Sequence, residues 1–543
     1  MKKTLIIIYI VFISLISCNT RTLDSQKQAR TQNKNFIYLE NNYFKLNDDS
    51  VFLYMLNYIV DLREINDELV FSTHIHYEDT DSYEYDTKEE SLNQLNAHFQ
   101  LIKNLGFNSI RICFDRLSQD IEERFFIETN NEKYYVSEYA EEIIFGLKEL
   151  IELAKKHDLK VMLLIKPPIK NKELEDFTIK ILHEFKDEPT IFAYDFINEP
   201  LYFDPKPDRP KIEVYSIVSH WQKLVRTHAP NQLFTIGFSE PIEVFSWDAY
   251  ILPVDFIQIH TYHPLRVPNE IWWYSKYMNK PFMVGETALP ADNDSISYEE
   301  QRQFMIDAYK YTVDCGGIGF AWWDFQETII GAFEVQYTGL LNHQGKTLIE
   351  ELNYEIKGSI KPAAYELKNL KSYKKQKPEP AVNYFNMIGN DNICVKGKVI
   401  DQNTKQAIEG AVVRGWNQHW DIGMNTYTDE NGEFTLYSND ENVYFTVSAP
   451  GMSRFKLDTI LIYTKISTED FDFYNLPNQK LEYHKIAYHP FLKNPASFDL
   501  DTKYPIFNFD EALFSNAKFV SDLGVIELKK LYIPLYLEKI KLN

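Results

Sequence analysis

Two glutamates close apolar runs in this chain, Asp195-Phe-Ile-Asn-Glu-Pro200 and Pro281-Phe-Met-Val-Gly-Glu286. They lie 87 residues apart (286 minus 199). That layout suits two carboxylates delivered to one cleft from the ends of two buried parallel strands. Paired carboxylates of unequal proton affinity can divide the labour of retaining glycosidic cleavage. One protonates a poor leaving oxygen while the other attacks the sugar carbon from the opposite face. Glu199 is the acid/base candidate and Glu286 the nucleophile candidate. Asn198, directly before Glu199, can hydrogen-bond a sugar 2-hydroxyl, a contact that strengthens in the transition state. Pro200 turns the chain away from the strand, and Gly285 permits close backbone approach. Taken singly, either glutamate also reads as a solvated strand-end residue. On strands of the right order, the two read as a pair.

The elements that must position them lie between about 36 and 370. Strand-like runs occur at Phe52–Tyr58, Asn108–Phe114, Lys160–Ile165, Ile191–Ile197, Leu233–Phe238, Phe256–His260, Phe282–Gly285 and Gly317–Trp322. Helical patterns separate most of them: Glu90–Leu105 with Gly106 as C-cap, Tyr139–His157, Leu174–Phe185, Val214–His228, Trp272–Met278 and Glu299–Val313. Count, span and order predict a (β/α)8 TIM barrel. A doubly wound sheet is the rival; it fits less well because marked polar residues cluster at the C-terminal ends of many of the runs. A Lys- and Pro-rich linker at 371–392 leads into an all-β pattern at 393–462, with an Asn-Gly turn at 431–432. Residues 463–543 are aromatic-rich and apolar enough to extend the small all-β sandwich or lie against the barrel.

A chain of 543 residues with 44% hydrophobic and 25% charged residues predicts two or three domains. Its net charge of −22 argues against nucleic acid or an anionic membrane surface as the main partner. Lys2 and Lys3 precede the apolar run Leu5–Ile16 and then Ser17-Cys18, so residues 1–18 read as a secretory signal, too short for a spanning helix. The polar stretch 19–35 reads as a tether. Cys113, Cys315 and Cys394 are isolated, without metal-ligand spacing, and read as buried free thiols. No metal role falls to His74 or His76. The acidic run Glu78–Asp86 could wall the cleft or be a solvated loop. Trp247, Trp272 and Trp273 could line sugar subsites, although packing between helices and barrel is the commoner use.

Asn198-Glu199-Pro200 on the fourth strand and Val284-Gly285-Glu286 on the seventh resemble clan A retaining glycoside hydrolases, most of all family 5, over residues 40–370. Gly106-Phe-Asn-Ser-Ile-Arg111 is similar to the family's second-strand motif. The resemblance implies that Arg111 lies beside the nucleophile; the alternative is an arginine capping a strand at the surface. His260-Thr-Tyr262 is similar to the family's His-x-Tyr, and residues two apart share a face. Tyr262 is then expected to donate to Glu286, and His260 to bind sugar or tune Glu199. Phe320-Ala-Trp-Trp-Asp-Phe325 matches the eighth strand, where the family places a tryptophan platform. Trp323 aligns best and Trp322 is the runner-up. The chain departs from the family at the third strand, where the family often carries a histidine and the stretch here reads Leu164-Ile-Lys-Pro-Pro168; Lys166 either takes the histidine's place or points outward.

Two further resemblances complete the layout. Leu15-Ile16-Ser17-Cys18 resembles the lipobox of bacterial lipoproteins, which implies a lipidated Cys18 and a protein held at the cell envelope, at the outer membrane, facing periplasm or exterior. Membrane contact would then run through the lipid anchor only. Gly397–Asp401, Ile408–Val412, Thr428–Gly432 and Ala449–Gly451 resemble a carboxypeptidase regulatory-like domain, which implies a spacer or accessory module without peptidase activity. Together these imply hydrolysis of a β-linked polysaccharide or oligosaccharide, mannan or glucan, with no metal or organic cofactor. The alternatives are a non-catalytic glycan-binding surface lipoprotein, or a transglycosylase or exo-glycosidase on the same barrel.

Overall fold

All eight apolar runs form strands, and the strands close into a ring. The computed structural model describes residues 33–456 and 519–531, with gaps at 66–67, 74–84, 86, 115–125, 130–131, 136–139, 166–168, 170–171, 205, 207–208, 263, 265, 328–336, 379–392, 418–422 and 439–441. Cys18, Lys166, His74, His76 and all of the run Glu78–Asp86 except Tyr85 lie outside the described residues. The barrel strands are β1 (Leu53–Ile65), β2 (Ser109–Phe114), β3 (Lys160–Leu164), β4 (Ile191–Asn198), β5 (Leu233–Phe238), β6 (Ile257–His260), β7 (Phe282–Glu286) and β8 (Gly319–Trp322). Each pairs in parallel with its neighbour, and Gly319–Trp322 of β8 pairs with Leu53–Leu56 of β1 to close the barrel. A doubly wound sheet is thereby excluded. Among the described residues, no helix is long and apolar enough to cross a membrane.

The helices fall where apolar residues recur at helical spacing. They are α1 (Lys88–Asn104), α2 (Ala140–Lys156), α3 (Lys172–Glu184), α4 (Lys211–His228), α5 (Arg266–Tyr277), α6 (Tyr298–Asp314) and α7 (Ala363–Leu370). Thr87 caps α1 by accepting from the Glu90 amide, and Ser297 and Glu300 form a capping box on α6. At the other end of α1 the C-cap is Leu105, one residue before the expected Gly106, which follows with φ of +99°. No α-helix joins β5 to β6; a short 3-10 turn, Pro241–Phe245, takes that place.

Side chains two apart along a strand fill the barrel in layers. The lower layer is apolar: Met55, Met162, Ala193, Met283 and Ala321. Phe44, from a three-stranded meander over residues 38–51, plugs the bottom edge-on against Phe192 (6.0 Å) and Phe256 (5.1 Å). Two residues further up β1 and β4 lie Asn57 and Asp195, and β2 and β6 add Arg111 and Gln258, all fully buried. The polar layer sits at the C-terminal ends of the strands, where barrel chemistry is built.

The C-terminal strands are β9 (Ile393–Asp401), β10 (Val412–Asn417), β11 (Gly423–Tyr427), β12 (Glu433–Ser438), β13 (Asn442–Ser448), β14 (Phe455–Lys456) and β15 (Phe519–Leu528). They form two sheets, β12-β9-β15 and β11-β10-β13-β14. β15 comes from the region with no recognisable motif and runs parallel to β9, so part of 463–543 does extend the sandwich. Val412, Trp416 and Tyr427 of the second sheet belong to the same apolar cluster as the barrel, and β10 and β13 pack on the 3-10 turn.

Candidate active site

Both glutamates follow a break in strand register. Asp195 pairs with Thr235, yet Asn198 pairs with Gly237; Ile259 pairs with Val284, yet His260 pairs with Glu286. An extra residue in one strand re-aims the side chain that follows it. The second break falls at Gly285, where a Cβ would come within 2.5 Å of Gln258 Oε1, so only glycine fits beside that inward glutamine. Glu199 then adopts φ +40°, ψ 72°, a left-handed conformation that costs a non-glycine residue energy. It is held there by its amide, which donates to Gly237 O at 2.8 Å, and by the turn Pro200–Phe203, whose amides of Tyr202 and Phe203 donate back to Glu199 O.

The geometry brings Arg111, Asn198, Glu199, His260, Tyr262 and Glu286 together. Arg111 is fully buried, which rules out a surface strand cap. Its Nη1 donates to Glu286 Oε1 and to Asn57 Oδ1 (3.1 Å), its Nε and Nη2 to Asp195 Oδ2 (3.0 and 2.8 Å), and its Nη2 also to Asn198 Oδ1 (2.7 Å). Tyr262 donates its hydroxyl to Glu286 Oε2. His260 Nδ1 lies 3.0 Å from Glu199 Oε1 and 3.4 Å from Glu286 Oε1. Its Nε2 is buried without a partner, against Gly237, where a Cβ would lie 2.8 Å away. An unpaired lone pair is cheaper to bury than an unpaired N–H, so the proton belongs on Nδ1, between the two carboxylates.

Carboxylate oxygens of Glu199 and Glu286 lie within 4.8 Å of each other. The spacing matches the direct-attack class of carboxylate pairs, about 5–5.5 Å apart, and not the about 6.5–9.5 Å that leaves room for an intervening water. Burial raises Glu199 to about 7; Arg111 and Arg266 oppose the rise, and Glu240 and Asp195 add to it. Burial also raises Glu286, against the pull of His260, Arg111 and the Tyr262 hydrogen bond. Burial lowers His260 to about 4, so the ring is neutral at pH 7. Burial, with Glu286 and Glu199 alongside, pushes Tyr262 well above the usual phenol value and keeps it a donor.

Glu199, His260 and Glu286 present one ligand atom each within a span that fits a metal ion. The donors around them argue for a different use. Both oxygens of Glu286 already accept, one of them from a guanidinium, and a second cation there would meet that charge at contact range.

The remaining candidates divide. Trp322 is fully buried, donates Nε1 to Thr338 O (3.0 Å) and meets Phe304 edge-on, so it packs between barrel and helix and is not available as a platform. Trp323 is half-buried, with its amide on Thr287 O (3.0 Å). Trp247 stacks on Trp221, and Trp273 donates to Gly410 O of the sandwich; both are packing residues. Cys113 is buried as expected, whereas Cys315 is half-buried, since it caps α6 rather than lying within a strand; the side chain of Cys394 lies outside the described residues. The sequence alone assigns no role to Asn57, Asp195 or Gln258. Asn57 ties Gly285 O and Trp322 O (3.0 Å each) to Arg111, and Asp195 takes Arg111, Gln258 and the Gly237 amide. Their signal was a lone polar residue inside each apolar run, with a side chain that must point into the barrel.

No family model matches the chain, and no curated protein matches it. Among solved structures, it is similar to GH5_18 from Streptomyces cattleya in complex with GlcNAc, at 14% identity over 58% of this chain and 81% of that one, with a TM-score of 0.40. It is similar to the endo-1,4-beta-mannanase from Rhizomucor miehei, at 14% identity over 53% and 90%, TM-score 0.37. It is also similar to a beta-glucosidase from Thermotoga maritima, at 11% identity over 60% and 98%, TM-score 0.39.

Proposed function

We propose that this chain is a retaining glycoside hydrolase acting on a β-linked polysaccharide or oligosaccharide of the mannan or glucan type. One observation carries the reading: two carboxylates from strands 87 residues apart meet within 4.8 Å at the C-terminal end of the barrel, in unequal hydrogen-bonding environments.

Glu199, as the carboxylic acid, gives its proton to the glycosidic oxygen while Glu286 attacks the anomeric carbon and the C–O bond breaks. The product is a glycosyl ester on Glu286 and a free alcohol. Esterification removes the charge of Glu286, so Glu199 loses a repulsive neighbour and stays ionised as a base. It takes a proton from water, the hydroxide adds to the anomeric carbon, and the ester bond breaks to return Glu286 as carboxylate. Arg111 and Tyr262 stabilise Glu286 as the ionised leaving group of that second step. Asn198 is assigned to the sugar 2-hydroxyl: its Oδ1 faces Arg111, which turns its amide nitrogen the other way. Trp323 is assigned to the sugar platform.

A 2-fluoro glycoside with an activated leaving group tests the reading directly. Mass spectrometry is expected to find one sugar ester, on the peptide holding Glu286. Binding without labelling would instead make the protein a glycan-binding module. A panel of mannans and glucans with product sizing then names the sugar and separates internal from terminal cleavage. We also infer that Cys18 carries a lipid anchor at the cell envelope; Cys18→Ser is expected to move the protein from the membrane fraction to the soluble one.

A further inference from the structure

We propose that the C-terminal sandwich is a working brace of the acid/base site and not a detachable spacer. The inference rests on the assignment of Glu199 as acid/base. The chain of contact begins at the missing helix. Where β5 meets β6, the barrel carries only the 3-10 turn Pro241–Phe245, and β10 and β13 pack on it. Around that turn the sandwich is pinned by buried polar contacts. Lys211 Nζ and Asp248 Oδ2 pair at 2.7 Å, out of water. Lys211 Nζ also donates to Ala449 O (3.2 Å), and the Gly451 amide donates to Asp248 Oδ2 (2.9 Å). Arg454 Nη1 reaches Ser246 Oγ at 3.2 Å. Two residues of the barrel and two backbone groups of the sandwich thus share one desolvated network; if the domains part, the Ala449 carbonyl and the Gly451 amide lose their partners and the Lys211–Asp248 pair loses its cover.

The turn and its N-cap residue carry two buried carboxyl groups that reach the segment after Glu199. Glu243 accepts from the Leu201 amide (3.0 Å) and from the Ser239 amide (3.2 Å) and hydroxyl (3.0 Å). Glu240 accepts from the Tyr202 hydroxyl (2.7 Å) and pairs with Arg266 (2.8 Å). Leu201 and Tyr202 are the second and third residues after Glu199, and the Tyr202 amide closes back on Glu199 O (2.9 Å). Glu199 is left-handed and needs surroundings that fix it. The turn supplies them, and the sandwich holds the turn.

A brace of this kind has a signature that general loss of stability lacks. Protonation of the leaving group matters greatly for alkyl or sugar alcohols and hardly at all for a dinitrophenolate, which departs unaided. The test uses the full chain with Trp416→Ala, which removes a buried sandwich side chain from the apolar cluster shared with the barrel, and Arg454→Ala, which removes the contact to Ser246. For Trp416→Ala we expect at least a tenfold loss of kcat/KM, which reports the first step alone, on glycosides of poor leaving groups, a share of the about 10²–10⁴ that a positioned general acid supplies. On the dinitrophenyl glycoside the loss of kcat/KM is expected to stay under about twofold, and Arg454→Ala is expected to show the same asymmetry at smaller size. An equal loss on both substrates, or none, overturns the brace. Hydrogen exchange supplies a readout that needs no turnover: the amides of Leu201 and Tyr202 are expected to exchange at least tenfold faster in Trp416→Ala. Unchanged exchange overturns the brace even if the protein cleaves no glycoside, an outcome that would by itself overturn only the glycosidase reading.

Discussion

The ends of β4 and β7 carry the same side chain in opposite surroundings. At β7, Glu286 leaves an extended strand and receives a guanidinium on one oxygen and a phenol on the other. The guanidinium is itself locked by Asp195, Asn57 and Asn198. At β4, Glu199 sits in a left-handed turn, its side chain 14% exposed, beside a neutral imidazole and a second acidic residue, Glu240. Both are desolvated, and desolvation alone would protonate both. The donors make the difference: a carboxylate that receives two hydrogen bonds, one of them charged, keeps its charge, whereas its poorly supplied neighbour keeps its proton.

Removing either side of that contrast has consequences of different size. Glu286→Gln leaves no nucleophile, and turnover on any glycoside is expected to fall by at least about 10⁴-fold. Activity that stays near wild type would end the assignment. Glu199→Gln is expected to lose about 10²–10⁴-fold on poor leaving groups and little in the first step with activated ones; azide should restore turnover on an activated glycoside in Glu199→Ala, with a glycosyl azide as product. Tyr262→Phe takes away one of the two donors on Glu286, and a loss of about 10²-fold is expected in kcat. The pH profile sharpens the same contrast. Wild-type kcat/KM should fall on the basic side near pH 7, as Glu199 loses its proton, and on the acid side as Glu286 gains one. In Glu199→Gln the basic limb should vanish and the acid limb remain.

The barrel was legible because its signal is repeated: eight apolar runs of similar length, separated by amphipathic stretches, leave few other ways to bury that surface. The glutamates were legible because each ends such a run. What hid was anything whose meaning depends on which way a side chain points. Trp322 and Trp323 are adjacent, so strand alternation sends them to opposite faces, and a register break nearby can swap the two. Asn57, Asp195 and Gln258 sit inside apolar runs, where a single polar residue looks like an interruption until its partner from a distant strand is known. Strand β15 pairs with β9 across more than a hundred residues of sequence, a contact that no local pattern announces.

The smallest effect tests the cost of the contrast to the fold. A buried carboxyl raised from its usual value to about 7 binds its proton more tightly folded than unfolded. The folded state then holds more protons between about pH 4.5 and 7, so stability falls as pH rises through that window, and the whole cost is present above pH 7. Each tenfold change in proton affinity is worth about 1.4 kcal/mol; with Glu199 partly exposed, about 1–3 kcal/mol is expected. Glu199→Gln has no charge to bury. It should unfold like the wild type at pH 4 and be more stable by that amount at pH 8, measured by denaturant titration at both values. Glu286 is raised by burial as well, though His260, Arg111 and the Tyr262 hydrogen bond oppose the rise, and Glu286→Gln also takes the partner from the buried Arg111. Its gain at pH 8 is therefore expected to be smaller than that of Glu199→Gln; an equal or larger gain would dissolve the distinction on which their separate roles rest.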